Sequence, residues 1–229
     1  VASGARGLLI ETEDSLAGQK APVRTLATKL ELLHREVSLL EPWLLGGKVV
    51  AGASVNRRED VVLQSWQLER ARLIMVPPHA PSSPPASPVE TLTVAVIPET
   101  ASAHLVTTAG LVPLEVHRVT GGLRVVVGDM SGGSLILLTD DQRAIAQLNE
   151  HTSKHAERSA KGERDLAMGE LMALDAAFQE SMGRNRDQQA DPLADAKGML
   201  QRCDLLLASR YYPRALQLAR TLRYAVHRR

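Results

Sequence analysis

Between Val49 and Thr139 the chain is a ladder of short β-branched and aliphatic runs, and this ladder constrains the fold more than any other feature. Residues 49–55, 61–67, 72–76, 92–97, 104–108, 112–119, 123–127 and 135–139 have the length and composition of strands. Clusters of Gly, Pro, Asn and Asp separate most of them, which predicts an antiparallel β-sandwich, immunoglobulin-like, of about eight strands. Asn56 to Asp60 reads as the first loop, Glu69-Arg70 as a tight turn and Gly121-Gly122 as a hairpin turn. Residues 77–88 are rich in Pro and Ser and should be extended. We place this stretch inside the sandwich, because three strands before it could not close a core alone.

The flanks differ from the ladder. Arg6-Gly7-Leu8-Leu9-Ile10 is a short apolar run suited to a buried parallel strand, and Glu11, Glu13 and Asp14 follow it. Leu26, Leu30, Leu33, Val37, Leu40 and Leu44 then form one apolar stripe at helical spacing, with Pro22 in the first turn and Pro42 marking the end. A strand, an acidic loop and an amphipathic helix make one βα unit, which cannot form a sheet by itself. The expectation is a remnant of an upstream α/β barrel over residues 1–45, the sandwich over 46–140, and a helical tail over 141–229.

In the tail, Thr139-Asp140-Asp141-Gln142 has the form of a capping box. Ile145, Leu148, Thr152, Ala156, Ala160, Ala167, Leu171, Leu174 and Phe178 follow with a helical period. They predict either one helix of roughly 40 residues or two meeting near Gly162. Pro192 opens the next helix, with Leu193, Ala196, Leu200, Cys203 and Leu207 as its stripe. A last helix after Tyr211-Tyr212-Pro213 buries Ala215, Leu216, Ala219, Leu222 and Val226. Short connections between such helices suggest an antiparallel bundle.

Composition narrows the function classes. Lys plus Arg number 27 against 26 Asp plus Glu, so charge gives no push toward nucleic acid or an anionic membrane. Aromatic residues make up 3%, thin for a surface that stacks sugars or bases. Cys203 stands alone, which rules out an internal disulfide and a multi-cysteine zinc site. No apolar run approaches the ~20 residues of a membrane span. The chain opens Val-Ala-Ser-Gly, with no Met and no signal pattern, and is expected to be a segment of a longer protein.

Three stretches carry a resemblance. They are Leu30-Glu31-Leu32-Leu33-His34-Arg35-Glu36 running into Glu41-Pro42-Trp43-Leu44; Gly121-Gly122-Leu123-Arg124-Val125-Val126-Val127 leading to Leu135-Ile136-Leu137-Leu138-Thr139-Asp140-Asp141; and Tyr211-Tyr212-Pro213-Arg214-Ala215-Leu216. In this order they resemble the C-terminal part of exported glycoside-hydrolase-like proteins of planctomycete type, where a (β/α)8 barrel ends in a helix, a β-sandwich follows and a helical tail closes the chain. The resemblance implies that the catalytic carboxylates lie upstream, that no catalytic residue is carried here, and that the protein is extracellular or periplasmic. The last two helices also faintly resemble a tetratricopeptide unit, through Tyr212, Ala215, Leu216 and Ala219.

Several individual residues are candidates for chemistry. Glu11, Glu13 and Asp14 sit where barrel enzymes place functional loops and are candidate substrate contacts, set against an ordinary solvated acidic loop. Trp66 is a second candidate, as a ring for a sugar, set against a core tryptophan. His151 and His155 have the i, i+4 spacing of a metal pair on a helix but lack a third ligand, and solvated surface is the preferred reading. His34 is read as a packing or boundary residue, Cys203 as a buried inert thiol, and Trp43 as a plug between the first helix and the sandwich. Arg214, Arg220, Arg223, Arg228 and Arg229 give a basic end that the helix dipole also favours. No phosphate loop, nucleophile elbow or dinucleotide fingerprint is present. The expected function is a non-catalytic accessory region bracing an upstream catalytic barrel, with no cofactor. The alternatives are a carbohydrate-binding module that takes polysaccharide and a helical protein-interaction module. Nucleic acid is not an expected partner.

Overall fold

A computed structural model describes residues 15–17, 20–55, 61–77, 90–95, 100–128, 133–182 and 193–227. Helix α1 (Ala21–Gly46) leads into nine strands: β1 (Lys48–Val49), β2 (Ala53–Val55), β3 (Gln64–Leu68), β4 (Ala71–Val76), β5 (Glu90–Ala95), β6 (Ser102–Thr107), β7 (Gly110–Val119), β8 (Gly122–Gly128) and β9 (Ser134–Thr139). Four helices follow: α2 (Gln142–Ser153), α3 (Ala156–Met182), α4 (Ala194–Ala208) and α5 (Tyr212–His227). The strands form one antiparallel sheet in the order β1-β3-β4-β9-β6-β7-β8-β5-β2.

This sheet curls on itself, and two segments make the corners. The first half of β7 pairs with β6 and its second half with β8. At the other corner β1 pairs with β3 while β2, three residues on, pairs with β5. The run read as a single strand over 49–55 is therefore divided, which gives nine strands where about eight were expected. Gly52 permits the division, since its φ of +93° is closed to most side chains. Arg72 ties the same corner from inside the curl. Its guanidinium donates to Ala51 O at 2.7 Å, Ala95 O at 3.1 Å and Ser65 Oγ at 3.1 Å. Burial lowers its pKa.

Alternation along the strands creates two cores. Ile74, Val76, Ile136 and Leu138 point into the curl and meet Leu92, Val94, Leu123 and Val125 from the opposite layer. Ala71, Leu73, Leu135 and Leu137 point outward and pack beneath Leu39, Trp43 and Leu148 of α1 and α2. Strands β4 and β9 are thus apolar on both faces because both are covered. Across the curl, Glu115, His117 and Arg124 face solvent, so that layer shows the period-two pattern of a half-buried sheet.

The third core is helical. Ala160, Ala167, Leu171, Leu193, Cys203 and all five predicted α5 positions, Ala215, Leu216, Ala219, Leu222 and Val226, are buried together. Ala109, in the turn between β6 and β7, enters this core and joins sheet to helices. Helix α2 instead leans on the sheet through Leu148.

Three local expectations are corrected. Pro42 lies inside α1, which continues to Gly46: the proline forfeits the bond to the Ser38 carbonyl, and the packing of Leu39, Trp43 and Leu44 on the sheet carries the helix past it. The N-cap of α2 is Asp141, whose carboxylate accepts from Arg143 N at 2.8 Å, while the Thr139 hydroxyl accepts from Asp141 N at 3.0 Å. The long helical run breaks at Lys154-His155 and not at Gly162. Gly162 is instead where α3 crosses α1: a Cβ there would lie 3.1 Å from Thr28 Cγ2. The predicted strand at 6–10, most of the Pro/Ser-rich stretch and the loop at 56–60 lie outside the described residues.

Candidate functional site

Helix α1 presents two different faces. One carries Leu32, Leu39 and Trp43, all 5% exposed, and is the face that packs on the sheet and on α3. The Trp43 and Trp66 rings share one cluster with Leu73 and Leu137, and the backbone turns so tightly after α1 that a Cβ on Gly47 would lie 3.2 Å from Trp66 Cβ. The other face carries the stripe that periodicity singled out, and its members are not fully covered: Leu26, Leu30, Leu40 and Leu44 are half-buried, while Leu33 and Val37 are each 40% exposed. Exposure continues through the last turn, with Leu45 at 81%, and into β1, with Val49 at 80%. Of the nine large apolar side chains exposed among the described residues, five (Leu16, Leu33, Val37, Leu45 and Val49) fall between residues 16 and 49. On α1 itself Leu33 and Val37, one turn apart, expose apolar surface on the same face.

Polar contacts hold α1 against the helices. Glu31 pairs with Arg35 and with Arg158, whose Nε lies 2.7 Å from its carboxylate. Arg35 also donates to Ser159 Oγ at 2.6 Å, and burial lowers its pKa. Glu36 pairs with Arg220. Behind that pair, Glu163, only 4% exposed, accepts from Arg223 at 2.6 Å, and Arg223 also engages Glu170 at 3.0 Å. Arg220 and Arg223 of the basic C-terminal end are therefore committed within the fold. Arg228 and Arg229 lie outside the described residues, and Arg214 is exposed.

Three sizeable clefts border α1, of which one of about 400 Å³ lies against α3 and α5 and is lined by Leu33, Glu36, Glu163 and Arg220. A second, of about 630 Å³, runs between α1 and the start of α3 and is lined by Glu31, Arg35, Glu157, Arg158 and Lys161. A hydrogen bond from Lys161 holds the Glu157 carboxyl below its ordinary range, and the pair spans 2.6 Å. The third, of about 560 Å³, lies at the seam of α1, α2 and the β3–β4 turn, with Leu39, Pro42, Trp43 and Leu148 among its walls. Asp140, next to that seam, is held low first by its hydrogen bond from Arg70, with Thr100 also donating to it. These carboxylates and cations neutralise each other, while His155 lines the cleft of about 630 Å³ and His151 that of about 560 Å³.

The residues singled out in the sequence are distributed as follows. Glu11, Glu13 and Asp14 lie outside the described residues. Trp66 is 7% exposed and lies in the core beneath α1. His151 lies in the last turn of α2 and His155 in the break before α3; both are exposed, as the solvated-surface reading expects, and they line one small pocket. Among the described residues no cluster of three or more His, Cys, Asp or Glu is placed to hold a metal. His34, read as a packing or boundary residue, is exposed, and the covered face of α1 is the one bearing Leu32 and Leu39. Cys203 is fully buried; its thiol donates to Ala215 O at 3.3 Å, and burial, followed by the nearby Asp204, pushes its pKa up to about 11.

One contact escaped sequence reasoning. Ser102 Oγ lies 3.0 Å from His104 Nε2 on one face of β6, a residue pair that recurs in nucleophilic sites. Ser102 gives its proton to Thr139 O at 3.0 Å, so the imidazole is the donor to Ser102 and does not act as its base. The i, i+2 spacing in a predicted strand was the available signal. Among the described residues no helix is long and apolar enough to cross a membrane. Comparison with protein-family models, with curated proteins and with solved structures finds no match to this chain.

Proposed function

We propose that this chain is a non-catalytic accessory region that braces an α/β catalytic barrel preceding it in an exported glycoside-hydrolase-like protein. The observation that carries this reading is the two-faced α1. In a barrel, an outer helix covers the strands with one apolar stripe, and Leu26, Leu30, Leu33, Val37, Leu40 and Leu44 form such a stripe. The sheet and the helical layer engage the adjoining side of α1 through Trp43 and the Glu31, Arg35 and Glu36 contacts, and Leu40 and Leu44 of the stripe border that core. A helix gripped on one side and apolar on the other is suited to join two bodies. The curled sheet supplies stiffness: the continuity of β7 through both layers favours a closed body over an immunoglobulin-like pair of separate sheets.

The carbohydrate-binding alternative finds less support. The solvent-facing layer, β2, β5, β8 and the second half of β7, contains no aromatic residue, and Trp66 lies under α1. Leu33→Asp with Val37→Asp tests the bracing reading. On the isolated chain the pair should change stability little, as expected for partly exposed positions. In the longer protein the same pair should loosen the upstream domain, read as new proteolytic cleavage ahead of α1. An upstream sequence lacking eight-fold strand–helix alternation would sink the proposal, as would unchanged cleavage.

A further inference from the structure

Helix α1 is held in two different ways along its length. From Leu39 to Leu44 it is seated on the sheet, where Leu39 and Trp43 are buried with Leu73 and Leu137, and Leu40 and Leu44 border the same core. From Ala21 to Val37 it lies over the helical layer, and its two buried apolar side chains there, Val23 and Leu32, join none of the three cores. The helices cross at Gly162, where a Cβ would lie 3.1 Å from Thr28 Cγ2 and 3.8 Å from a Leu32 methyl. Leu32 lines both the cleft of about 630 Å³ on one side of this crossing and the cleft of about 400 Å³ on the other. The first half of α1 therefore rests on α3 along a narrow ridge with an open cleft on each flank.

Charged groups span those flanks. On one, Glu31 meets Arg158 at 2.7 Å and Arg35 donates to Ser159 Oγ at 2.6 Å. On the other, Glu36 pairs with Arg220, and Lys29 lies 3.8 Å from Glu170. The Glu31 and Glu36 side chains are each 32% exposed and that of Arg158 is 74% exposed, so dissolved salt reaches these pairs and screens them. Salt does not weaken the apolar burial that seats the second half. At the boundary between the halves, Pro42 has no N–H for the Ser38 carbonyl, so the helix lacks one bond there.

We propose that residues 21–37 form an ionic strap: they leave α3 and α5 as one unit, pivoting at Ser38, while Leu39 and Trp43 stay on the sheet. Local opening of this kind selects the part of a fold with the fewest apolar contacts. The strap goes beyond the bracing role, because it is a property of this chain alone and sets the conditions under which the first half of α1 is docked.

Hydrogen exchange read by mass spectrometry on the whole chain tests this. Between 0.1 and 1 M sodium chloride the screening length falls from about 10 Å to about 3 Å. Amides of residues 25–37 should then exchange at least about threefold faster at the higher salt, while those of residues 43–47 should not change. Glu31→Gln with Glu36→Gln removes both carboxylates from the strap. It should bring the low-salt exchange of 25–37 up to the high-salt rate and abolish the response to salt. Equal rates for 25–37 at the two salt concentrations in the parent chain would overturn the proposal, as would 25–37 and 43–47 opening together. If the double variant does not fold, the salt series on the parent chain decides by the same two criteria. Both readouts use this chain without an upstream domain, so their failure would leave the test of the bracing role standing.

Discussion

Trp66→Ala separates a core tryptophan from a ligand-binding one. Trp66 is 7% exposed and faces Leu73 across the β3–β4 pair, beneath Trp43 of α1. A buried aromatic side chain removes about 150–250 Å² from water. At about 25 cal/mol per Å² that is worth about 4–6 kcal/mol. Partial collapse of the site and a compact unfolded chain reduce the expected loss to about 3–5 kcal/mol. Against a total of about 5–15 kcal/mol, such a loss brings the domain close to its midpoint. The assay is urea unfolding followed by far-UV circular dichroism, where the midpoint should fall by about 1–2 M for an ordinary urea dependence. Trp43 is then the one tryptophan remaining of two, so its fluorescence reports directly on the seam and should shift to the red. Retention on a polysaccharide panel should not depend on Trp66. An unchanged midpoint together with lost retention on one polysaccharide would refute the reasoning and revive the carbohydrate-binding reading.

Two further outcomes follow from buried titratable groups. Cys203, with its pKa pushed up to about 11 by burial, is roughly a thousandth thiolate at pH 8 while it stays buried, so a thiol reagent should label the folded chain only as fast as the helical core opens. Rapid labelling at native pH would place the thiol at the surface. Burial lowers the pKa of His104 below its ordinary value near 6.5. The unfolded chain therefore takes up this proton first as the pH falls. The stability tied to His104 is full above pH 6.5 and is lost as the pH drops through 6.5 toward the folded value. His104→Gln should flatten the dependence of the urea midpoint on pH in that window, and an unchanged slope would show that the imidazole protonates freely in the fold.

Much of the local structure was legible in the residues. Strands β3 to β9 fall on the predicted runs because β-branched segments bounded by turn residues have few other options. The buried set on α5 follows directly from spacing, since its apolar stripe is the side that meets α3, α4 and the β6–β7 turn. The candidate site was less legible. The stripe of α1 was read correctly as apolar, yet the side covered here is the one with Leu32, Leu39 and Trp43. Both arcs are apolar, and one-dimensional periodicity ranks them without knowing which neighbour arrives. The partners of Glu36 and Glu163 lie on α5, far along the chain, and no local pattern announces them.

By itself the sequence determined where helices and strands form and which positions must be apolar, because these depend on backbone preferences and short periods. Only the tertiary structure decided that residues 48–55 split between two layers, that Gly162 marks a helix crossing, and that α1 keeps an apolar face in view. Those outcomes depend on which distant surfaces meet, and burial free energy is set by the meeting and not by the segment alone.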